Sequence, residues 1–227
     1  YQSCDGTVSM FRIGSFNVSV DQSDLTSENA KAVLDKAENI ITTCVKNFGL
    51  HIIILCESGG HLQGLSDAGI SAKDMEIVDG PQGALVIVNS NYLTSCGFND
   101  DTIQFDVKAI RTFRFAQGGP ELVVHKLEND VGFRLMLGSL HICASEQNLV
   151  VEALRKMERE SPTDSATQPV VQVLVGDCSL SPEEAEDLEW RTHWHVHTTG
   201  AGQSEGVVFV KGAHTHSFDL RQQWLID

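Results

Sequence analysis

A chain of 227 residues with 41% hydrophobic and 21% charged residues can bury a real core, and its length fits one large domain or two small ones. Thirty-one Asp and Glu outnumber sixteen Lys and Arg, and the resulting charge of −15 argues against nonspecific binding to duplex DNA, which depends on phosphate neutralisation. The apolar runs fall far short of the ~20 residues that span a bilayer, and six cysteines without a C-x-x-C pair exclude a zinc ribbon or thioredoxin motif.

Phe11 to Val18 reads as a first strand. After Thr26-Ser27, the residues Val33, Ile40, Ile41, Cys44, Val45 and Phe48 recur at three- and four-residue intervals. They predict a helix that Gly49 stops. Leu50 to Cys56 and Ala84 to Val88 are strand-like, followed by Glu121 to Leu127 and Phe133 to Cys143. A second helix starts near Ser145, with Leu149, Leu154 and Met157 as its buried stripe. Arg155, Lys156 and Arg159 form the densest basic patch, but glutamates interleave them, as on a solvated helix face. Val170 to Val175 is a strand, and Ser181-Pro182-Glu183-Glu184 is a capping box opening a third helix. Trp194 to His197 and Gly206 to Val210 complete the strands.

An opening βαβ unit and hairpins in the middle suit an α/β sandwich, with two packed, mostly antiparallel sheets flanked by helices in four layers. No linker or repeat divides it, so one domain over residues 1–227 is the simpler organisation. Cys56, Cys143 and Cys178 lie in or beside apolar runs, where reduced thiols pack as small hydrophobes; the even cysteine count leaves disulfides open.

Four strand ends carry polar groups that their strands do not need: Asn17, Glu57, His141 and Asp177. Singly, each has a plain explanation as a turn former, a solvated end, a satisfied histidine or a cap. Together they suggest oxygen and nitrogen ligands converging at one edge of a sheet, which a divalent-metal site with a general base requires.

In order and spacing, Ser15-Phe16-Asn17-Val18, Ile54-Leu55-Cys56-Glu57, Ser139-Leu140-His141 and Gly176-Asp177-Cys178-Ser179 resemble the motifs of the endonuclease/exonuclease/phosphatase superfamily. The resemblance covers roughly residues 11 to 210 and implies a phosphoesterase that uses magnesium or manganese. It implies that Glu57 and Asn17 hold the metal, that Asn17 also orients phosphate, that His141 contacts the scissile phosphate, and that Asp177 aligns or activates the attacking water.

The departures from the family pattern bear on activity. Ser179 stands in the substrate-orienting place of an asparagine, and Ser139 replaces the Asn of N-x-H. Gly206 occupies the place of the D-x-I aspartate, with Glu205 beside it. Two readings of the closing S-D-H triplet stand open. In one, His214-Thr215-His216 is its degenerate form, with His216 in the catalytic place. In the other, the triplet and its strand lie beyond Asp227.

His193, His195 and His197 alternate and would share one strand face, either as a polar face or as a zinc or copper site. Thr198 to Gly202 lacks a P-loop lysine, and no G-x-S-x-G elbow supports a triad of Ser139, His141 and Asp177. Two functional classes follow. One is a metal-dependent phosphoesterase acting on a phosphorylated small molecule or nucleotide. The other is a catalytically degenerate relative that serves as a binding or structural subunit and therefore has protein partners.

Overall fold

The computed structural model describes residues 12–17, 27–56, 74–79, 83–98, 104–116, 119–129, 132–142, 147–161, 170–178, 180–198 and 206–212. Residue contacts separate a unit ending at Gln104 from one beginning at Phe105, each with its own core.

In the first unit, β1 (Ile13–Asn17) and β2 (Ile52–Cys56) run parallel, joined through α1 (Ser27–Phe48). Ala37, Ile40, Ile41, Cys44 and Val45 bury one stripe of α1, the spacing expected of a helix with one covered face. Gly49 ends the helix in the left-handed region at φ 60°, where its N–H donates to the Val45 carbonyl at 3.0 Å. A Cβ there would lie 2.6 Å from the Phe98 ring, so glycine satisfies both the backbone and the packing. Every residue from Ile52 to Leu55 is buried, which explains the unbroken apolar run: both faces of β2 are covered. β4 (Gly83–Val88) lies antiparallel to β2, and β3 (Met75–Asp79) pairs with β4 to give the sheet order β1-β2-β4-β3. The short α2 (Ser90–Ser95) follows, its Asn89 cap accepting from the Asn91 N–H at 2.8 Å.

The second unit opens with β5 (Phe105–Arg114), β6 (Glu121–Asn129) and β7 (Arg134–Ile142), an antiparallel meander. α3 (Gln147–Glu160) then crosses to β8 (Val170–Cys178), which lies parallel to β7. α4 (Pro182–Thr192), β9 (His195–Thr198) and β10 (Val207–Lys211) complete it, in the order β5-β6-β7-β8-β10-β9. α3 lies close to the sheet because Gly138 leaves room for it. A Cβ there would sit 2.7 Å from Met157 Sδ and 2.9 Å from Leu174 Cδ1. Trp194 is fully buried in this core, with Phe209, Val207 and Leu188. The predicted capping box is present: Ser181 Oγ accepts from the Glu184 N–H at 3.2 Å, and Glu184 Oε2 accepts from the Ser181 N–H at 2.7 Å.

Two mixed sheets with flanking helices, each containing one parallel pairing among antiparallel ones, are the α/β-sandwich class expected from the sequence. Three elements were not foreseen: β3, β5 and α2. β3 is a short edge strand, and within it Met75 is buried while Glu76 is exposed. β5 is also an edge, and a register shift between Val107 and Ala109 breaks its alternation. The predicted start of the second helix, Ser145, lies outside the described residues.

Candidate catalytic strand ends

Parallel pairing places polar sequence positions side by side at the carboxyl ends of strands, where backbone geometry in α/β sheets commonly presents ligands. In the first unit, Asn17 is the last residue of β1 and lies in register with Cys56, the last residue of β2. Glu57 is the next residue in the sequence and lies outside the described residues. In the second unit, His141 and Asp177 are direct register partners at the carboxyl ends of β7 and β8. Motifs 36 positions apart in the sequence thus become neighbours through the α3 crossover.

The expectation of a single sheet edge is therefore corrected. Asn17 belongs to the four-stranded sheet, and His141 and Asp177 belong to the six-stranded one. The reason is that each parallel pair needs its own helical crossover, α1 in one unit and α3 in the other. On the far side of β8, Val207 pairs with Gly176, so Gly206, which the resemblance places at the D-x-I aspartate, immediately precedes the strand next to the Asp177 strand. Ser179, Glu205, His214, Thr215 and His216 lie outside the described residues.

A second correction concerns the alternating histidines. β9 begins at His195, so His193 does not share its strand. His193 instead caps the C-terminus of α4 at φ 57°, its N–H donating to the Glu189 carbonyl at 2.9 Å. His195 Nδ1 lies 3.2 Å from Glu189 Oε1 in an exposed pair. Among the described residues, no three His, Cys, Asp or Glu side chains gather as metal ligands.

Two other titratable groups can be assigned to structure rather than chemistry. Burial pushes the Cys44 thiol up to about 12, so the reactive thiolate is suppressed; Cys44 and Cys96 are both free thiols. Burial also pushes His125 on β6 down to about 4, opposed by a hydrogen bond to the Leu137 backbone, and keeps its ring neutral near pH 7.

A cleft went unnoticed in the sequence. It has a volume of about 270 Å³ and opens between α3, the end of α4 and Lys211 of β10. Its only sequence signal was Arg155, in the patch read as a solvated face. Arg155 and Arg159 are indeed exposed, while Lys156 lies over the rings of Phe113 and Phe115 at 5.3 and 5.6 Å.

No family model and no curated protein matches the chain. Solved structures do. An endonuclease/exonuclease/phosphatase family protein from Bacteroides thetaiotaomicron aligns with a TM-score of 0.59 and 12% identity, over 88% of this chain and 80% of that one. The chain has the endonuclease/exonuclease/phosphatase fold. The same fold is shared with the mannosyl-6-phosphatase Bt3783 of Bacteroides thetaiotaomicron VPI-5482, at TM-score 0.61 and 12% identity over 88% and 85% of the two chains. A D. rerio TDP2 humanized by 14 mutations gives 0.57 and 16% over 91% and 85%. At such identities the likeness is one of fold, and the activities named for those proteins remain theirs.

Proposed function

We propose that the chain is a divalent-metal-dependent phosphoesterase of the endonuclease/exonuclease/phosphatase fold, acting on a phosphorylated small molecule or nucleotide. The observation that carries this reading is the register pairing of His141 with Asp177 at the carboxyl ends of a parallel strand pair. The β1–β2 pair repeats that arrangement with Asn17, and Glu57 directly follows its β2 strand.

The donor chemistry fits a hard cation. The Glu57 carboxylate and the Asn17 amide oxygen would hold Mg²⁺ or Mn²⁺, which when bound supplies charge to polarise the phosphate. His141 donates to the phosphate oxygens as negative charge grows on them. Asp177 accepts the proton of an attacking water or orients it. Ser179 offers a shorter hydroxyl where the family has an amide, and if His214-Thr215-His216 is the degenerate triplet, His216 takes the place of the closing histidine. The structural neighbour D. rerio TDP2 is known with a single-strand DNA product. With sixteen basic against thirty-one acidic residues, a small phosphorylated ligand suits this chain better than duplex DNA.

A second reading rests on specific residues. Ser179 and Gly206 remove an amide and a carboxylate from the family pattern, and such losses favour a catalytically degenerate subunit with protein partners. Titration calorimetry with Mg²⁺ and Mn²⁺ separates the two. The enzyme reading predicts saturable binding that Glu57→Ala weakens at least 10–100-fold, roughly the range found even for outer partners of metal ligands. Absent binding, or equal binding by the variant, contradicts it and favours the subunit.

A further inference from the structure

We propose that the cleft bounded by α3, the C-terminal end of α4 and Lys211 is a binding site for a small, multiply charged oxyanion of the phosphate or pyrophosphate class. Its composition runs against the whole molecule. In a chain of charge −15, Arg155, Arg191 and Lys211 line one cavity of about 270 Å³ with a single carboxylate, Glu158.

That carboxylate is already engaged. Glu158 Oε1 accepts from the Trp194 indole N–H at 3.0 Å and is paired with Lys211, whose ammonium also lies 5.8 Å from the Trp194 ring centroid. Lys211 is thus fixed in place by Glu158 and Trp194. Arg191 is held by Asp187 at 3.1 Å, but both members are more than half exposed, and such a pair is weak enough for a better anion to displace. Arg155 is exposed and forms no hydrogen bond or ion pair among the described residues; its charge acts only electrostatically on Glu158.

Two guanidinium forks with an unspent capacity for paired hydrogen bonds are a chemical match for phosphate oxygens. The buried side chains of Val151 and Leu154 form the apolar wall, on the same α3 stripe as Arg155 and Glu158. A volume just below the usual range for ligand pockets favours a small ligand over a polymer.

The site stands apart from the candidate catalytic end. Lys211 is in register with Gln172, and Asp177 lies five residues further along β8, about 16 Å along the strand. The inference therefore holds whether or not the chain hydrolyses phosphoesters.

The test is an amide and indole NMR titration of the full chain with pyrophosphate, and separately with inorganic phosphate, in EDTA at constant ionic strength. Trp194→Phe assigns the Trp194 indole signal. Saturable shifts are expected at the Trp194 indole N–H and at the backbone amides of Thr192 and His193. Arg155→Gln, an exposed substitution that should leave folding intact, is expected to weaken the apparent Kd roughly tenfold, the loss of one charge-assisted contact. His141→Ala should leave it unchanged. The proposal is overturned if neither anion gives a saturable shift, if chloride reproduces it, if Arg155→Gln binds as the parent does, or if His141→Ala abolishes it.

Discussion

Trp194→Ala is expected to lower the free energy of unfolding by about 3–5 kcal/mol, the usual range for truncating a large buried aromatic side chain. Three effects act together. The indole is fully buried among Phe209, Val207 and Leu188, so its loss leaves a cavity that the sheet on one side and the helices on the other cannot readily collapse. Its N–H is one of two partners of the Glu158 carboxylate. Its ring also faces the Lys211 ammonium. Trp194→Phe separates these contributions, because it keeps most of the apolar volume but removes the N–H donor, and should cost about 1–2 kcal/mol. Urea unfolding followed by far-UV circular dichroism measures both. Equal stability of parent and alanine variant would show that Trp194 does not hold α3, α4 and β10 together.

Acid should weaken the fold through His125. In the folded chain its pKa is pushed from 6.5 to about 4, first by burial, against a hydrogen bond to the Leu137 backbone. Between those values the unfolded chain binds a proton that the folded chain refuses. Stability therefore falls as pH drops through 6.5 and the loss is complete near 4, amounting to about 3 kcal/mol from this one group. His125→Leu removes the titrating ring but keeps an apolar side chain in the strand. Its stability should change much less across that interval. If the parent and the variant lose stability in parallel between pH 6.5 and 4, His125 is not the cause.

Much of the architecture could be read from residues because burial on both faces writes itself into sequence. The runs Ile52-Ile53-Ile54-Leu55 and Ala84 to Val88 are buried throughout, and both were read as strands. The Ser181 capping box and the Gly49 stop carry their own local chemistry, and both behave as expected. Edges do not. β5 alternates Phe105, Asp106, Val107 and Lys108, then shifts register, so its pattern resembles a polar loop. His193 was grouped with the strand histidines because a histidine rather than a glycine or asparagine takes the left-handed capping position of α4, and nothing in Arg-Thr-His-Trp-His announces that.

The strand-end positions of Asn17, His141 and Asp177 were legible because each lies at the close of an apolar run, while Glu57 lies outside the described residues. The division into two pairs was not, since register across the α1 and α3 crossovers is a long-range property. The cationic cleft was invisible for the same reason. Arg155, Arg191 and Lys211 come from two helices and a strand, and only folding collects them.

The central claim is phosphoester hydrolysis, and one assay meets it directly: turnover of 4-nitrophenyl and bis(4-nitrophenyl) phosphate with Mg²⁺ or Mn²⁺. The parent chain is compared with His141→Ala and Asp177→Ala, each checked for folding. The account predicts metal-dependent turnover that EDTA abolishes and that each variant lowers by roughly 10²–10⁴-fold, the usual contribution of a positioned acid–base group. Turnover of the parent no greater than that of His141→Ala would contradict it and leave the fold as a scaffold for binding.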